Sequence, residues 1–167
     1  MKRLTVFSFA LLVISGGACA DTLTAAGVSR DIDAHGARSA VKSLARSGRF
    51  DKVLDRIASG QSAWIQLAPR LAKGTDAGNS AELGVALAEA LPKNPQAVLA
   101  VLDGGPIIGA DTVCAMPFIE PAPDEVTAYL SSAIAAVKSV RTSARSASKA
   151  ACLTVLEQAQ ADSNEVQ

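Results

Sequence analysis

Apolar residues return every three or four positions along most of this chain, and the interruptions are glycine and proline. Between residues 31 and 46, Ile32, Ala37, Val41, Leu44 and Ala45 fall on or near one helical face, and Ser47-Gly48 ends the run. Phe50, Val53, Leu54 and Ile57 mark a second helix, stopped by Gly60. Ser62 opens a third over 63–73, with Trp64, Leu67, Ala68 and Leu71 on its apolar side. Pro69 inside it lacks the donor that would reach Ile65, so a kink or a break is expected. Asn79, with Glu82 three residues on, reads as the capped start of a helix carrying Leu83, Ala86, Leu87, Ala90 and Leu91. Asn94-Pro95 opens a helix through Leu102 that is apolar almost all round, which predicts a central position.

The segment 106–123 is the least regular. Pro117, Pro121 and Pro123 exclude a long helix, and Ile107-Ile108 and Val113-Cys114 fit short extended pieces. From Asp124 the helical spacing resumes through Val126, Tyr129, Leu130, Ile134, Val137 and on to Val155, thinning around Ser143, Ser146 and Ser148. The pattern predicts an all-α fold: a compact bundle, or a short HEAT-like stack, of five to six helices with one irregular, disulfide-tethered loop. The stack rests on an internal echo, because Val53-Leu54-x-x-Ile57-x-x-Gly60 repeats as Val98-Leu99-x-x-Leu102-x-x-Gly105 at an offset of 45.

The N-terminus has a different pattern. Lys2 and Arg3 precede an apolar run from Leu4 to Ile14, and Ala18-Cys19-Ala20 supplies the small-residue end of a secretory signal. Eleven such residues reach only about 16 Å as a helix against a hydrocarbon core of ~30 Å, so no transmembrane segment is expected after signal removal. Gly16 stands where a lipoprotein box carries an aliphatic residue, so cleavage after Ala20 is preferred to a lipid anchor at Cys19. The chain then divides into a signal peptide (1–20), a single helical domain (21–160) and a frayed tail (161–167), placed in the periplasm of a Gram-negative cell or secreted.

Charge and composition narrow the chemistry. Losing the signal leaves 14 Lys or Arg against 16 Asp or Glu, a balance that removes the electrostatic case for nucleic acid. Export also removes Cys19 and leaves Cys114 and Cys152, an even pair that predicts one disulfide. No C-x-x-C spacing supports a redox enzyme. His35 is the only histidine, which excludes a two-histidine metal site within one chain, and no acidic loop has calcium-binding spacing. No metal or other cofactor is implied. Asp31 and His35 read as a surface i,i+4 pair. Ser39-x-x-Lys42 and Ser146-x-x-Lys149 match a serine–lysine spacing without its companion motifs. Lys138, Arg141, Arg145 and Lys149 read as a basic stripe on one helix, and Trp64 and Tyr129 as core or half-buried aromatics.

These observations lead to an exported, non-catalytic protein-binding domain, of the kind that includes immunity and inhibitor proteins. Its partner is expected to be another protein, met by the irregular segment through Ile107, Ile108, Met116 and Phe118 and by Lys138, Arg141 and Arg145. Two other classes are a periplasmic carrier of a small molecule or lipid, with a pocket lined by Leu83, Leu87, Val98 and Leu102, and a hydrolase assembled from distant Asp, Glu or Ser residues.

Overall fold

A computed structural model describes residues 23–116, 118, 121–141 and 146–165, and every element among them is helical. The proposed signal and its processing residues Ala18, Cys19 and Ala20, and also Arg145, lie outside the described residues.

Helix α1 (Ala25–His35) starts earlier than the pattern suggests, because Thr24 caps it: its hydroxyl accepts from the Gly27 N–H at 3.0 Å. Helix α2 (Ala37–Arg46) follows, so the run read as one helix over 31–46 is divided in two. The cause is Gly36, whose φ of +81° is open to glycine and hostile to a continuing helix. Helix α3 (Phe50–Ala58) buries Phe50, Val53 and Ile57 as its spacing requires.

Pro69 produces the expected break. It separates α4 (Ser62–Ile65) from α5 (Ala68–Ala72) and occupies the first turn of α5, where a missing N–H is tolerated. The α5 residue Arg70 donates to the Ser29 hydroxyl at 2.6 Å and pairs with Asp33, which ties α5 to α1. Just beyond α5, Gly74 lies against the start of α2. A Cβ at this position would stand 2.3 Å from the Ala37 carbonyl oxygen, so the close approach depends on glycine.

Helix α6 (Ala77–Ala90) is capped by Asp76, whose carboxylate accepts from the Asn79 N–H at 3.0 Å; Asn79 is the third helical residue and not the cap. Helix α7 (Pro95–Val101) buries Val98, Leu99 and Val101 but exposes Ala100. Helix α6 buries more residues than any other described helix, namely Leu83, Gly84, Ala86, Leu87, Ala88 and Ala90, while Ala77, Gly78, Ala81, Glu82 and Glu89 stay exposed. Its small residues permit other backbones to approach on several sides, which apolarity alone does not convey. Asn94 ties the start of α7 to the turn between α3 and α4. Its side chain caps Ala97 at 3.2 Å and donates to the Gly60 carbonyl at 2.8 Å and the Ser62 hydroxyl at 2.9 Å. Asn94→Ala loses the cap and both tethers, with an expected loss of about 2 kcal/mol in urea unfolding.

Helix α8 (Ala110–Val113) is one helical turn, so Val113 and Cys114 are not extended. Helix α9 (Pro123–Ser139) and helix α10 (Ser146–Glu165) pack against each other and replace the continuous helix expected from Asp124. Residues 161–165, read as frayed, belong to α10. Among the described residues there are ten helical segments where five to six were expected, because Gly36, Pro69 and extended Val140 interrupt longer runs and α8 adds a turn in the irregular segment. The bond between Cys114 and Cys152, with Cα atoms 5.4 Å apart, fixes the end of α8 to α10. The fold is an all-α bundle with a disulfide-tethered loop. The echo does not extend to its helix ends: Gly60 has positive φ, whereas in the second copy the positive φ is at Gly104 and not Gly105.

Candidate functional site

Helices α3 and α6, which bury Val53, Ile57, Leu83 and Leu87, pack against each other and leave a groove between them. Leu54, Asp55 and Ala58 form one wall, and Ala81, Glu82, Val85, Ala86 and Glu89 form the other. Ala58, Ala81 and Ala86, whose side chains stop at Cβ, are among the residues lining the groove. Its volume is about 710 Å³, the size of a small-ligand or side-chain-binding cleft.

Thr112 of α8 and Phe118 close the groove from the irregular segment. Both are held by identifiable contacts. The Thr112 hydroxyl donates to the Pro106 carbonyl at 2.9 Å, while Phe118 meets the Tyr129 ring edge-on at 4.8 Å between centroids. Tyr129 in turn donates its hydroxyl to the Ala88 carbonyl of α6 at 3.1 Å. Burial and the nearby Glu89 carboxylate push the phenol above its ordinary range, so it remains a protonated donor. Two residues from Thr112, the disulfide pins Cys114 with no exposure at either sulfur-bearing residue.

The remaining loop is itself well packed. The Asp103 carboxylate accepts from the Gly105 N–H at 2.8 Å, and a Cβ on Gly109 would meet the Gly105 carbonyl oxygen at 2.4 Å. Consequently only part of the expected contact surface points outward. Ile108 is 1% exposed and belongs to the core; Ile107 and Met116 are half-buried and pack against it. Phe118 is the one of these four that lines the groove.

The basic stripe is also redistributed, because α9 ends at Ser139 and the four residues do not share one helix. Lys138 pairs with Glu157 of α10 at 2.9 Å. Lys149 donates to the carbonyls of Lys138 and Val140, each at 2.8 Å, and so satisfies the open end of α9. Arg141 is exposed beyond that end. Of the Ser146–Lys149 spacing, the lysine is thereby engaged at the end of α9. Asp31 and His35 pair at 2.8 Å on exposed helix surface, as their spacing predicts.

The residues expected to line a carrier pocket have another place. Leu83, Leu87 and Val98 are fully buried in the core and Leu102 packs half-buried against it. Among the described residues, no group of three or more His, Cys, Asp or Glu side chains is positioned for a metal, and no helix is long and apolar enough to cross a membrane.

Sequence reasoning passed over the groove walls. A signal was present: Glu82, Val85, Ala86 and Glu89 lie on one helical face, with the acids seven residues apart. Comparison with known protein families, curated proteins and solved structures finds no match. The groove has a largely apolar lining, and its charged members, Asp55, Glu82 and Glu89, are all carboxylates.

Proposed function

We propose that the protein is an exported, non-catalytic protein-binding domain and that its contact surface is the α3–α6 groove, with Phe118 at the edge. The observation that carries this reading is the position of an open apolar hollow beside a covalently pinned loop. A surface whose wall is fixed before binding loses little conformational entropy when a partner arrives. Export is supported by the basic head, apolar run and A-x-A end of the first 20 residues, and the disulfide fits an oxidising compartment. The periplasm is the proposed location.

Site-specific photo-crosslinking in cells tests the proposal. A photoreactive residue at exposed Ala81 on the groove is expected to capture a discrete protein partner, whereas one at exposed Ala100 on α7 is not. Equal capture at both positions, or none at Ala81, would count against the groove. Mass measurement of the exported chain is expected to give Asp21 as its first residue.

A further inference from the structure

We infer that the occupant of the groove is a basic amphipathic helix of a partner protein, with lysine or arginine residues seven positions apart flanking its aliphatic face. This rests on the groove being the binding surface and adds the partner's chemistry. Glu82 and Glu89 are both exposed and stand two turns apart on α6, about 10.5 Å along the axis, with Val85 and Ala86 between them. A helix laid along α6 repeats its own face every seven residues, so it can present a cation to each glutamate while aliphatic side chains enter between them. Asp55 supplies a third carboxylate from the α3 wall, and the groove lining contains no lysine, arginine or histidine. Among the described residues, none of these three carboxylates is in an ion pair.

The charge complement also decides against competing occupants. An acidic or phosphorylated segment, or an anionic membrane surface, meets three like charges. A neutral aliphatic helix fills the floor but leaves the carboxylates unmatched. Rim charges contribute mainly to encounter rate and partner choice, so the inference predicts a salt-dependent interaction of moderate affinity.

The test uses the disulfide-bonded protein lacking its first 20 residues. The probe is a fluorescein-labelled 18-residue alanine/leucine helix whose lysines lie seven apart beside the leucine face, compared with versions carrying glutamine or glutamate in their place. Fluorescence anisotropy is expected to show saturable binding of the lysine peptide and about tenfold weaker binding to the Glu82→Gln/Glu89→Gln variant. Both glutamates are exposed, so the variant is expected to melt like the parent. Ala81→Trp, which fills the hollow without changing charge, is expected to weaken binding at least as much.

Equal binding of the glutamine and lysine peptides overturns the basic helix and leaves the groove reading intact. Binding indifferent to Ala81→Trp places the peptide elsewhere and also overturns the inference. It fails equally if no peptide binds at roughly millimolar concentration while Ala81 still captures a partner in cells. If dodecyltrimethylammonium binds more tightly than every peptide and is lost with Ala81→Trp, the groove takes a small cationic amphiphile instead.

Discussion

Replacing Cys114 and Cys152 together with alanine is expected to lower the unfolding free energy by about 4 kcal/mol. The bond joins positions separated by 38 residues, and the chain-entropy cost of closing a loop of that length gives this magnitude. Alanine is preferred to serine because both sites are fully buried, where a new hydroxyl would add a desolvation cost of its own. The effect is large against the ~5–15 kcal/mol that holds a typical domain together. Urea unfolding of the chain without its first 20 residues, oxidised against doubly substituted, measures it; coincident midpoints would refute the account. The loss is expected to be local before it is global. Cys114 follows α8 directly, so amide exchange over 110–116 should accelerate at urea concentrations where α3 and α6 remain protected. The groove then loses the constraint on its Thr112 edge, and the peptide that binds the oxidised protein should bind the substituted one more weakly.

Which features were legible in the sequence follows from their range. The helical class and the apolar faces of α2, α3 and α7 depend on residues within one or two turns, and local spacing reveals them. The pairing of Cys114 with Cys152 was legible for a different reason: once Cys19 is assigned to the signal, two cysteines remain in an exported chain. Breaks were harder to read. Pro69 was recognised by its missing donor, whereas Gly36 was passed over because glycine only permits positive φ and does not impose it. The groove was least visible. Ala58, Ala81 and Ala86 look like ordinary helix-forming residues, and they line a hollow only where α3 meets α6 across the fold. Ile108 shows the opposite error. An apolar residue in an irregular segment resembles an exposed contact, but the turn that Asp103 and Gly105 stabilise carries it into the core. Lys149 likewise belongs to a charge pattern in sequence, while in space it terminates a neighbouring helix.

Leu87→Ala distinguishes a filled interior from a carrier cavity, and it should cost about 3–5 kcal/mol. Leu87 has no solvent exposure and lies on the buried side of α6, between Leu83 and Leu91, which are also fully buried. Removing its isopropyl end from a close-packed core forfeits the transfer free energy of the lost carbons and leaves a hole that its neighbours fill only in part. If Leu83, Leu87, Val98 and Leu102 instead lined a closed ligand cavity, the same truncation would remove fewer contacts. Its cost would then stay near the transfer contribution alone, about 2 kcal/mol, and the enlarged space would hold more ligand. Urea unfolding gives the cost, and native mass spectrometry of parent and variant detects any retained small molecule. A loss above roughly 3 kcal/mol with no added mass assigns these residues to the packed centre. On the outer flank of α6, Glu82, Val85 and Glu89 line the groove, while Leu83 and Leu87, one step around the helix, are buried in the core that positions them.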